Sequence, residues 1–188
     1  MRIGNREFDT ENGVYVMGIL NVTPDSFSDG GRWLERDAAL RQAAKMAAEG
    51  AAIIDIGGES TRPGHRPVGA EEEAARVLPV IAAVKRETGL PVSVDTYRHE
   101  TARLALEAGA DMVNDIWGLR YDGGEMARLI AQSGAACCLM HNRTSAEYRD
   151  FMPELLEDQP GTLALAAAAG LTPQRHILHP AIALATSA

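Results

Sequence analysis

Five glycines set the rhythm of this chain. Gly50-Ala51, Gly89-Leu90, Gly109-Ala110, Gly134-Ala135 and Gly170-Leu171 each follow a helical stretch and precede an apolar run. Glycine at such a junction adopts the left-handed backbone that ends a helix and releases the chain into the next element. The apolar runs are continuous rather than alternating, which is the pattern of strands buried on both faces. Helix, glycine, strand, repeated five times, therefore predicts a parallel sheet covered by helices, with six strands. The strands are expected over residues 14–22, 51–57, 91–96, 112–116, 136–141 and 176 to about 183. The helices are expected over 37–49, 70–88, 98–108, 124–132 and about 147–169. Glu71, Glu72 and Glu73 fall in the first turn of the second helix, where the helix dipole favours negative charge. Pro79 is expected to kink that helix, and Pro153 and Pro160-Gly161 to interrupt the last one.

With 188 residues and 46% hydrophobic content, the chain fits one domain with a core of its own. A formal charge of -8 argues against nucleic acid or an acidic membrane surface as partner. No apolar run approaches the ~20 residues needed to cross a bilayer. Residues 1–12 are polar and lack an apolar signal core, so the expected location is the cytoplasm. Cys137 and Cys138 are adjacent, so in a strand they point to opposite faces and are expected to be plain core thiols.

In an α/β enzyme built on a parallel sheet, the site lies where the strands end. The first strand ends at Asn21 and leads into Val22-Thr23-Pro24-Asp25-Ser26-Phe27-Ser28-Asp29-Gly30-Gly31. This loop offers oxygens and no nitrogen or sulfur ligand before Arg32, which suits a hard cation such as Mg²⁺; an ordinary turn is the alternative. The second strand runs into Gly57-Gly58-Glu59-Ser60-Thr61-Arg62-Pro63-Gly64. The third carries Asp95-Thr96, the fourth Asn114-Asp115 and the fifth Met140-His141-Asn142-Arg143. Asp55, in mid-strand, reads as a satisfied buried carboxylate rather than a ligand. Asp115 fits a turn cap as well as a site residue, and His141 a core or rim histidine as well as a catalytic one. Asp95 and Asn114 end successive strands, and a carboxylate beside an amide can pair with the donor–acceptor edge of a flat heterocycle.

The two long loops carry a resemblance. Asn21 to Gly31 resembles the first signature of the dihydropteroate synthase family, and Asp55 to Gly64 resembles the second. Ser93-Val94-Asp95-Thr96, Val113-Asn114-Asp115-Ile116 and Leu139-Met140-His141 follow in the family's order. The resemblance implies a TIM-type (β/α)₈ barrel, here with about six βα units. It also implies condensation of a dihydropterin methyl diphosphate with 4-aminobenzoate to dihydropteroate and diphosphate, in folate biosynthesis. By resemblance Asn21 is the Mg²⁺ ligand, Asp29 a carboxylate near metal and diphosphate, and Thr61 and Arg62 contacts for diphosphate and aminobenzoate. Phe27 and Pro63 would wall the aminobenzoate. Asp95 and Asn114 would hold the pterin, with Met140 against its face. Asp29 and Arg62 are the residues expected to act on the reaction itself.

The chain also departs from the family. His179 stands where the resemblance expects a pterin-binding aspartate, and Ala181, Ala183 and Ala185 stand where it expects glycines. The lysine, arginine and histidine of the last two βα units have no counterpart. Residues 1–188 are therefore expected to form a pterin-binding barrel domain without those two units, and the family's homodimer is expected less for such a chain. A non-catalytic pterin-binding module and an inactive remnant are the alternatives.

Overall fold

The computed structural model describes residues 1–23, 31–59, 67–143 and 148–181, with backbone only for 31–35. Six strands form one parallel sheet in sequential order: β3 (Met17–Asn21), β4 (Ile53–Gly57), β5 (Val92–Asp95), β6 (Met112–Asp115), β7 (Ala136–Met140) and β8 (His176–His179). The helices between them are α1 (Gly31–Ala48), α2 (Ala70–Thr88), α3 (His99–Glu107), α4 (Glu125–Ser133) and α5 (Phe151–Ala168). All five junction glycines have positive φ, between 63° and 108°. At Gly89 the N–H returns to the Lys85 carbonyl at 3.1 Å, closing the last turn of α2 before β5 begins.

The central strands β4 to β7 bury both faces, whereas the edge strands β3 and β8 leave residues such as Ile19 and Ile177 exposed. On the outer face Leu20, Ile54, Ile56, Val92, Val94, Val113, Cys137 and Leu139 pack under the helices, against Ala43, Val77, Ile81, Ala105 and Ile130 among others. On the inner face Ile53, Met112, Ala136 and Cys138 form a second cluster with Ile3 and Phe8. Ile3 and Phe8 come from an amino-terminal hairpin, β1 (Arg2–Ile3) with β2 (Arg6–Glu7), which closes the end of the sheet where the strands begin. The polar composition of residues 1–12 gave no sign of this hairpin, because only two apolar side chains do the plugging. The cysteines divide between the faces as expected, and burial pushes both thiols up to about 12.

Several expected boundaries shift. The first strand starts at Met17, leaving Val14 and Val16 exposed, and α1 begins ahead of residue 37. α2 runs through Pro79 without a break in assignment, because Val77, Val80, Ile81 and Val84 bury one continuous face that outweighs a lost backbone hydrogen bond. α5 likewise continues through Pro153 and Pro160. Pro153 lies in the first turn, where its missing N–H had no helical partner to lose. Beside Pro160, Arg120 donates to the Asp158 carbonyl at 2.6 Å.

Candidate active site

The sheet register brings the sequence-predicted residues together. Asn21 pairs with Gly57, Gly57 with Asp95, and Asp95 with Asn114, so the four form one row across the inner face where the strands end. Gly57 leaves room at the centre of that row. A Cβ there would lie 3.4 Å from both Asn21 Oδ1 and Asp95 Oδ2, so these two oxygens converge over the glycine. Met140 ends β7 on the same face, 8% exposed, opposite His179. Asp29, Arg62, Thr61, Phe27 and Pro63 lie outside the described residues.

One row deeper, Asp55 faces Ser93 across the β4–β5 pairing. Its Oδ2 accepts a hydrogen bond from Asn114 Nδ2 at 3.0 Å, while Oδ1 and the Ser93 hydroxyl are buried without a partner of hydrogen-bonding geometry. The expectation of a satisfied carboxylate thus holds for one oxygen only. Burial raises the Asp55 carboxyl, and the nearby Ser93 hydroxyl and Asn114 amide oppose that rise. Burial raises Asp95 further, well above the usual carboxylate range, and the charges of Asp55, Glu73, Asp115 and Glu59 add to it. Among the described residues none donates a hydrogen bond to Asp95.

Asp115 and His141 resolve toward structure. Asp115 accepts from the Trp117 and Leu119 N–H groups at 2.8 and 2.7 Å, capping the turn after β6, and burial raises its carboxyl to about 6. His141 is 6% exposed, with Nε2 2.8 Å from Asp158 Oδ2. Asp158 also accepts from Arg143 Nε at 2.6 Å, and Arg143 reaches Glu154 at 2.7 Å. His141 is a rim residue in an ion-pair network.

A second network, not expected from the sequence, surrounds Glu59 just after β4. Arg98 Nη1 lies 2.6 Å from Glu59 Oε2 and 3.2 Å from Glu73 Oε2. Thr101 donates to Glu73 at 2.8 Å, and Arg98 covers the Tyr97 ring at 4.3 Å. Glu73, unlike its neighbours Glu71 and Glu72 in the first turn of α2, is 1% exposed. The available signal was Arg98, a cation three residues beyond Asp95, just before α3.

Among the described residues no three His, Cys, Asp or Glu side chains cluster as a metal cage. No described helix is long and apolar enough to cross a membrane. Residues 17–188 match the family model described as pterin binding enzyme. The chain belongs to the pterin-binding enzymes of the dihydropteroate synthase family. It is 47% identical to dihydropteroate synthase of Clostridium beijerinckii over 182 residues, which are 97% of this chain and 67% of the relative. The crystal structure of dihydropteroate synthase from Clostridium difficile in the presence of pteroic acid superposes with a TM-score of 0.87 at 45% identity, over 92% of this chain and 65% of that one. The Xanthomonas albilineans synthase in complex with 7,8-dihydropteroate gives 0.82 at 38% identity, over 95% and 64%. The chain thus spans about two thirds of the length of these synthases, and the open six-stranded sheet is an incomplete form of their barrel.

Proposed function

We propose that the row Asn21–Gly57–Asp95–Asn114 binds a dihydropterin methyl diphosphate for condensation with 4-aminobenzoate, giving dihydropteroate and diphosphate. The observation that carries this is Asp95: a carboxyl group at the end of its strand, beside the Asn114 amide, with no donor among the described residues. A flat ring with N–H groups on one edge supplies those donors, and Met140 offers an apolar contact for its face. The ligands of the Xanthomonas and Clostridium difficile structures, dihydropteroate and pteroic acid, have that chemistry.

The reaction asks little covalent chemistry of the protein. The bond between the pterin methylene carbon and the diphosphate oxygen breaks, and its electron pair leaves with diphosphate. The arylamine nitrogen attacks the methylene and then loses a proton. Asp95 and Asn114 orient the ring, and a fixed ring fixes the methylene for attack. Arg62, Thr61 and Asp29 are proposed for the diphosphate, with Phe27 and Pro63 as walls for the aminobenzoate. Asn21 Oδ1, which faces the row over Gly57, is the oxygen that would hold a Mg²⁺ ion. The ion would supply charge neutralisation to the departing diphosphate.

Residues 1–188 are proposed to form one barrel domain with six βα units, in a cytoplasmic protein, with a homodimer as the form to be tested. A second reading, a pterin binder without turnover, is favoured by His179, which stands opposite Met140 where the family resemblance expects an aspartate. Titration of the chain with (7,8-dihydropterin-6-yl)methyl diphosphate, with and without Mg²⁺, followed by chromatographic assay for dihydropteroate, separates the two. Product supports the synthase. Metal-dependent binding without product supports the binder, and no binding overturns both.

A further inference from the structure

We propose that Asp55 is a positioning residue that fixes which way round the Asn114 amide faces the ligand, and so sets the donor–acceptor order that the site reads. This rests on the pterin reading for the identity of the ligand.

An asparagine side chain is nearly symmetric in shape but not in hydrogen bonding: one end donates and the other accepts. In an open pocket the two orientations compete. Here the nitrogen end lies 3.0 Å from Asp55 Oδ2 and donates to it, so the carboxyl group takes the donor end of the amide. Turning the amide over would set its carbonyl oxygen against that carboxylate in a site where Asp55 is 2% exposed and water cannot screen the repulsion. The carbonyl oxygen and the second N–H of Asn114 are left for a ligand in a fixed order. Asn114 stands in register with Asp95, so the amide and the carboxylate are read together as one edge.

Asp55 is itself buried. It occupies the inner-face row beneath Gly57, opposite Ser93, and both Asp55 Oδ1 and Ser93 Oγ are buried without partners. Buried polar atoms that find no partner are uncommon. Three neighbours are acidic or neutral: Asp95 on the same face, Ser93 opposite and Cys138 on β7, in register with Asn114. Among the described residues no cation contacts Asp55; the Asn114 nitrogen donates to its Oδ2, and the Ser93 hydroxyl lies near the same carboxyl group. Replacing it with Asn gives the same shape with an end that can donate, and the Asn114 amide is then free to turn over.

The test uses the whole 188-residue chain and two probes, 6-hydroxymethylpterin and 6-hydroxymethyllumazine, which exchange a ring amino donor for an oxo acceptor. Calorimetry on wild type is expected to show pterin preferred over lumazine. In Asp55→Asn the ratio of the two affinities is expected to shrink about tenfold, the scale of one misdirected buried hydrogen bond. An unchanged ratio with unchanged affinities overturns the inference. If wild type binds neither probe, the pterin reading falls, and the positioning claim is decided separately by NMR. The Asn114 side-chain NH₂ pair, identified by its loss in Asn114→Ala, is expected to exchange slowly in wild type and fast in Asp55→Ala. Fast exchange in wild type overturns the claim even if the Asp55 variants fail to fold.

Discussion

Two pairs of acids near the strand ends are treated in opposite ways. Glu59 and Glu73 share the Arg98 guanidinium, with Tyr97 and Thr101 completing the shell. Asp55 and Asp95, one row apart on the inner face, have no cation among the described residues, and the Asp55 charge adds to the rise that burial imposes on Asp95. The first pair is a finished structural anchor at the root of a loop. The second has no such cation among the described residues, and this unmatched capacity is what the proposed pterin site would use. Raised carboxyl groups occur in both pairs, since burial also lifts Glu73. The difference lies in the partner, not in the shift.

The largest effect is expected from breaking the finished pair. Arg98→Ala leaves two buried carboxylates without their cation and is expected to cost about 3 kcal/mol of unfolding free energy, measured by urea denaturation. A loss below about 1 kcal/mol would remove the contrast drawn here. The converse change, Asp95→Asn, is expected to leave the urea midpoint unchanged or higher, because it removes an acid with no cation or donor among the described residues. Its affinity for 6-hydroxymethylpterin is expected to fall roughly 100-fold, since the site loses its carboxylate acceptor.

Asp115 is an intermediate case, balanced by backbone N–H groups rather than by a cation. Its folded carboxyl is raised to about 6 from an ordinary 3.8, so between these values the folded chain binds more protons than the unfolded one. Its contribution to stability is therefore fully present below about 3.8 and lost as pH rises through about 6. Urea midpoints of wild type and Asp115→Asn, followed from pH 7 to pH 4, are expected to shift in favour of wild type by on the order of 2 kcal/mol as pH falls. A difference independent of pH would show that the N–H donors fully offset burial. The smallest effect is expected at the exposed pair Lys45–Glu49, 3.9 Å apart. Lys45→Ala is expected to change stability by less than about 0.5 kcal/mol, the limit in which water does the neutralising.

Much of the site was legible because strand ends are legible. Asn21 followed from the first loop signature, and Asp95, Asn114 and Met140 from their places at strand ends; the register puts Asn21, Asp95 and Asn114 in one row. Asp115 as a cap followed from its place after an apolar run. The Arg98 network was not legible, because Glu73 in a run of three glutamates looks like surface charge until α2 is laid on α3. Nor was the hairpin plug, since Ile3 and Phe8 are isolated apolar residues whose shared partners lie far along the chain.

The sequence by itself determined the alternation of strands and helices, the parallel sheet and the residues delivered to the strand ends, because each of these is a matter of local periodicity and local turn chemistry. Only the tertiary structure decided which of the buried acids is neutralised. A cation's reach across two helices, and an amide's choice of end against a carboxylate 59 residues away in sequence, are set by packing distances that no local pattern encodes.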